Sequence, residues 1–144
     1  MASLNEQIRV ALADVLREAL SDEVSVFPYP QFGPEPPRIM IAASDGGYVT
    51  AAEAFDGAGV ATVHLQIWVE VVAADDVSPQ MLLDAYLSPD SSDQSTIVGA
   101  LATDPSLGGL VTDVRHVGSR VLPLAPSGPQ VGVVDVDVLL SDRG

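Results

Sequence analysis

The chain has 144 residues, which is the size of one domain able to bury roughly 70% of its unfolded surface. It contains no cysteine, which excludes disulfides and thiolate metal sites, and no lysine, which excludes a Walker-type phosphate loop. Its basic residues are six arginines, and with 20 Asp and Glu the formal charge is −14, a balance that repels phosphate backbones and argues against tight nucleic-acid binding.

The opening "MASLNEQIRVALADVLREAL" places Leu4, Ile8, Ala11, Leu12, Val15, Leu16, Ala19 and Leu20 at three- and four-residue spacing. Ser3 fits the cap and Glu6 stands three residues on, so the segment predicts an amphipathic helix. Charges at Glu6, Arg9, Asp14, Arg17 and Glu18 interrupt the apolar run a secretory leader would need, and the expectation is an intracellular protein. "VSVFPYPQFGPEPP" predicts a short strand at Val24 to Phe27 and then a proline-stiffened connector. "RIMIAA", Arg38 to Ala43, predicts a strand ending at "SDGG". The polar, glycine-containing stretch from Ser44 to Gly59 predicts a long hairpin connection and offers a surface for function.

The clearest strand is "VATVHLQIWVEVV", Val60 to Val72. Val63, Leu65, Ile67, Val69 and Val71 fall on one face, and His64, Gln66, Trp68 and Glu70 fall on the other. "DVSPQMLLDAYLSP" predicts a helix capped by Ser78 with Pro79 at its first position and with Met81, Leu82, Ala85 and Tyr86 on its apolar side. A second clipped helix follows, with Ile97, Val98, Leu101 and Ala102 apolar and Pro105 as its stop. Two alternating runs close the chain, "LVTDVRHVGSRV" and "VGVVDVDVLL". In the last, Val134, Val136, Val138 and Leu140 point inward, and Asp135 and Asp137 point to water. Paired strands with segregated helices predict an α+β domain spanning residues 1–144, a mostly antiparallel sheet with helices packed on one face. The polar, aromatic-bearing opposite face is suited to meeting a neighbouring subunit.

Catalytic signatures are few. No dinucleotide-binding glycine pattern, nucleophile elbow or H-E-x-x-H motif occurs. His64 and His116, the two imidazoles, lie on strands where solvated or interface roles suit them. Asp75 and Asp76 sit where negative charge favours a helix start. "DVDVLLSD" lacks the glycine of a cation loop. We therefore expect no metal, no cofactor and no enzymatic activity. Arg115 and Arg120 lie close together on one strand. They are placed to pair with carboxylates of a partner subunit or, equally, with Asp113 or Asp135 of their own sheet.

Between Val60 and Val121 the chain resembles the tail terminator proteins of siphovirus-type actinobacteriophages, also described as head-to-tail connector or minor tail proteins. The resemblance rests on the "WVEVVAAD" strand, on "LLDAYLSP", on the S-x-x-x-A-L helix from Ser95 to Leu101 and on "DPSLGGLVTDVR". The resemblance implies a virion structural protein at the tail–neck junction, assembled in the host cytoplasm. Such a protein forms a ring homo-oligomer, a hexamer, that caps the tail tube and stops its polymerisation. Its partners would be itself, the major tail tube protein and the head completion or stopper protein. Genome DNA would pass through the channel without specific binding, and no membrane would be involved. The candidate subunit or tube interface is Trp68, His64, Arg115 and Arg120 on the sheet with Asp45, Gly46, Gly47 and Tyr48 in the long connection. The alternatives are another neck ring protein, a dimeric small-ligand-binding α+β module, or an enzyme built on the Asp and His residues.

Overall fold

In the computed structural model, which describes residues 3–20, 24–30, 37–44, 47–51, 60–73, 77–122 and 129–141, the first helix α1 runs from Leu4 to Ala19. Ser3 Oγ accepts from the Glu6 N–H at 3.1 Å and so satisfies one of the donors that a helix start leaves open. Ile8, Leu12 and Leu16, four residues apart, are fully buried. Arg17 donates from Nε and Nη2 to the Val26 carbonyl at 3.2 and 2.7 Å, tying the helix end to the first strand.

That strand, β1 (Ser25–Phe27), pairs in parallel with β2 (Arg38–Ala43). Every other pairing is antiparallel: β2 and β3 (Val49–Ala51) with β4 (Val60–Ala73), β4 with β6 (Pro129–Ser141), and β6 with β5 (Asp113–Val121). The order across the sheet is β1-β2-β4-β6-β5. Period-two alternation makes β4 the centre: Val63, Leu65, Ile67, Val69 and Val71 are at most 1% exposed. They share one apolar core with Val134, Val136 and Val138 of β6 and with the buried sides of the helices. The fold is therefore α+β, a mostly antiparallel sheet with its helices on one face.

β3 revises the expected hairpin connection. β2 ends opposite Leu65 and β3 begins opposite Val63, running in the same direction along the same edge of β4. Ser44 and Tyr48 both meet His64, whose carbonyl accepts from Ser44 N at 3.0 Å and whose N–H donates to Tyr48 O at 2.6 Å. The loss of alternation at "SDGG" concealed the continuing strand. Gly47 takes a φ of 141°, a conformation other side chains rarely adopt. The rest of the expected connection, 52–59, lies outside the described residues, as do Asp45 and Gly46.

The second helix, α2 (Val77–Tyr86), is also corrected. It is already helical at Val77, so Ser78 and Pro79 lie within its first turn, where a proline's missing N–H costs nothing. Asp75 and Asp76 lie outside the described residues. Its buried side is Leu83 and Tyr86, not Met81 and Leu82, which are exposed at 64% and 37%; Ala85 is also exposed. The reason is close docking. α2 sits over Gly132 of β6, where an added Cβ would lie 2.7 Å from Leu87 Cδ1 and 2.9 Å from Leu83 Cδ1, so these leucines hold the inward face.

α3 (Ile97–Ala102) is short because it is pinned at both ends. Thr96, 1% exposed, accepts from Gly99 N at 2.9 Å and donates to Asp93 O at 2.8 Å. Downstream, Leu107, Gly108 and Gly109 take successive positive φ values and turn the chain into β5. Ile97 and Leu101 are buried as expected, whereas Ala102 is exposed.

Candidate functional site

The face of the sheet away from the helices is organised in rows, because register sets the side chains of neighbouring strands side by side. Ser44, His64, Asp137 and Arg115 form one row, Ala42, Gln66, Asp135 and Gly118 the next, and Met40, Trp68, Val133 and Arg120 a third. Arg38 pairs with Glu70 in the row beyond. A bulge between His116 and Gly118 decides part of this layout. Five residues separate Arg115 from Arg120, which in a regular strand would put them on opposite faces; the extra residue returns both to this one.

The rows are joined by polar contacts. Arg38 Nη2 donates to both Glu70 oxygens, at 3.0 and 3.1 Å, with the two side chains only 12% and 14% exposed. Trp68 Nε1 donates to Gln66 Oε1 at 3.0 Å, Gln66 Nε2 donates to Asp135 Oδ1 at 3.3 Å, and Arg120 closes on the other Asp135 oxygen. His64 Nδ1 lies 2.7 Å from Asp137 Oδ1, and Arg115 reaches Asp113 at 3.5 Å. The arginines thus meet their own sheet's carboxylates, the local alternative for Arg115 and Arg120. Asp135 and Asp137 are half-buried and paired where plain solvent exposure was expected. Met40, Gln66 and Val133, all on this face, are at most 4% exposed, so a thin second layer of packing covers part of it.

Two depressions interrupt the face. One, of about 290 Å3, is an open hollow bordered by Ser44, Gly47, His64, Val117, Asp135 and Asp137. The other, of about 210 Å3, is mostly apolar, with Pro30, Met40, Trp68, Leu122 and Val131 around the Arg38–Glu70 pair. His116 belongs to neither: it is exposed on β5, its Nε2 2.9 Å from Ser119 Oγ. Among the described residues no group of three or more His, Asp or Glu is placed to hold a metal ion. Among the described residues no helix is long and apolar enough to cross a membrane.

Of the residues singled out in the sequence, Trp68, His64, Arg115 and Arg120 come together on this face. Gly47 borders its hollow. Tyr48 turns toward the helices, where its hydroxyl accepts from Arg9 Nε at 3.3 Å. Asp45 and Gly46 lie outside the described residues.

Arg9 was not legible as special. It is 6% exposed, donates from Nη1 to Ile41 O at 2.7 Å and Pro28 O at 3.3 Å, and lies 4.4 and 5.5 Å from the ring centroids of Tyr29 and Tyr48. It clasps α1 to β2 and to Tyr48 opposite His64. Its one sequence signal is its place at the border of the apolar stripe, beside Ile8 and four residues before Ala13.

Charge is divided sharply between the two sides of the molecule. All four described carboxylates on strands, Glu70, Asp113, Asp135 and Asp137, have an arginine or histidine partner. Of the seven on the helices and the loops after them, Glu6, Asp14, Glu18, Asp84, Asp90, Asp93 and Asp104, only Asp14 has an ion-pair partner among the described residues, Arg17 at 3.0 Å. No protein-family model matches the chain, and no curated protein matches it at a significant level.

Proposed function

We propose that the chain is a ring-forming virion structural protein of the tail–neck junction, a tail terminator that caps the phage tail tube, stops its polymerisation and joins it to the head connector. The observation that carries this reading is the open face of the sheet, where each described carboxylate has a side-chain partner. Paired charges lose less on desolvation than lone ones, so a face whose carboxylates are all partnered, and which bears Trp68, Val117 and Leu122, suits burial against protein. The unpaired carboxylates of α2 and of the loops beside α3, Asp84, Asp90, Asp93 and Asp104, suit a surface that lets DNA slide past, because no described arginine accompanies them between residues 77 and 112. The residues that carry the resemblance to terminators build the central strand, α2, α3 and the turn into β5. Partners follow from this reading: copies of itself, the major tail tube protein and a head completion protein.

The test is negative-stain imaging of virions assembled without the protein. Tubes of uncontrolled length without heads are the expected result, and normal virions would refute the proposal. Another neck ring protein would instead leave tubes of normal length that fail to join heads.

A second reading has one observation in its favour. Ser44, His64 and Asp137 stand in one row beside the open hollow, with Asp137 holding the imidazole as a hydrolytic site would require. Turnover of an activated ester that is lost in both Ser44→Ala and His64→Ala would favour a hydrolase; no turnover in the wild type dismisses it.

A further inference from the structure

The helical side carries a shallow groove of about 450 Å3 along α1, lined by Glu6, Gln7, Val10, Ala11, Asp14 and Leu110. Val10 is 39% exposed there, and it stands between two carboxylates at four-residue steps, Glu6 before it and Asp14 after it. Glu6 has no ion-pair partner among the described residues, and the Asp14–Arg17 pair is exposed on both sides. Such a pair contributes little and exchanges partners readily.

β5 presents the complementary pattern at the edge of the sheet. Val117, 61% exposed, stands between Arg115 and Arg120, whose side chains are 68% and 44% exposed. The bulge at Val117 places both arginines on one side of the strand. The spacings agree. From Glu6 to Asp14 the helix rises about 12 Å at 1.5 Å per residue. From Arg115 to Arg120 the bulged strand spans about 13–16 Å at roughly 3.3 Å per residue. Long arginine side chains absorb the difference.

We infer that the β5 edge of one copy docks on the α1 groove of the next, with Arg115 and Arg120 meeting Glu6 and Asp14 and with Val117 covering Val10 and Leu110. The contact joins unlike surfaces, so it repeats from copy to copy and closes into a ring or extends. It deepens the ring reading by naming the surfaces that meet. It also excludes the symmetrical arrangement of groove on groove, where Glu6 and Asp14 would face their own kind. Pairing with Arg115 and Arg120 occupies the exposed edge strand, which would otherwise present open backbone groups.

The test uses charge reversal in the full chain and sedimentation velocity. All four sites are exposed, and far-UV circular dichroism checks that the fold is kept. Arg115→Glu with Arg120→Glu, and separately Glu6→Arg with Asp14→Arg, should each weaken self-association at least tenfold. Mixing the two variants should restore it, because each then meets an opposite charge at both of its surfaces. The inference is overturned if the wild type stays monomeric at several hundred micromolar. It is equally overturned if either variant associates like the wild type, or if the mixture fails to recover. The ring reading stands or falls separately, on virions assembled without the protein.

Discussion

The open face of the sheet and the helical side treat carboxylates in opposite ways, within one small acidic chain. On the strands every described carboxylate has a cationic or imidazole partner, whereas on the helical side one in seven does. Desolvation accounts for the difference. Glu70 is 14% exposed and Asp135 28%, and a partly buried carboxylate without a counter-charge is costly. Helical carboxylates such as Glu18 and Asp84 stand in water and need no partner. Among the described residues, uncompensated negative charge therefore lies on the helical side more than on the open face, which makes face-to-opposite-face association cheaper than contact between helical sides.

The largest expected effect comes from breaking a charge pair on the sheet. Arg38→Met leaves Glu70 nearly buried without its partner and should cost about 3 kcal/mol in urea unfolding, while Arg38→Met with Glu70→Leu should cost under about 1 kcal/mol. Equal losses for the two variants would break the comparison. Next in size is Gly132→Ala. The new Cβ meets the tips of Leu83 and Leu87, and a loss of about 1–2 kcal/mol by thermal unfolding would confirm that α2 docks tightly on β6. On the helical side, Glu18→Gln should change stability by no more than about 0.5 kcal/mol, since no described residue forms an ion pair with it; a loss above about 1 kcal/mol would mean the helical carboxylates are also committed.

The smallest effect is a matter of pH. The Ser92 hydroxyl and the Ser92 backbone N–H hold the fully exposed Asp90 carboxyl below its ordinary value. A lowered value means the charged form is favoured in the native state. Its slight stabilisation is present above the ordinary Asp range and is lost as pH falls through the native value. An NMR titration should therefore place Asp90 below the ordinary aspartate value; a midpoint at or above it would remove the turn from the account.

Much of the fold could be read from periodicity. β4 alternates so regularly that both of its faces were assigned residue by residue, and Ser3 marked the start of α1. The α2 face was misread because "MLL" lets a short helix be phased two ways, and only the close approach over Gly132 selects Leu83. β3 was hidden because "SDGG" interrupts the alternation between the end of β2 at Ala43 and the start of β3 at Val49. Trp68 and His64 could be placed on one face from strand alternation, whereas the shared side of Arg115 and Arg120 depends on the bulge at Val117, which no spacing rule announces. Arg9 escaped notice because a buried arginine satisfied by carbonyls and tyrosines leaves no charged partner to find in the sequence.

Trp68 gives the most direct test, since it is the only tryptophan and stands half-exposed on the open face. If the proposed ring forms, acrylamide quenching of its fluorescence should fall as wild-type protein is concentrated, and should fall less in the Glu6→Arg, Asp14→Arg variant. Quenching that is identical in dilute and concentrated protein would mean that the open face stays in water, and would contradict the proposal that neighbouring copies cover it.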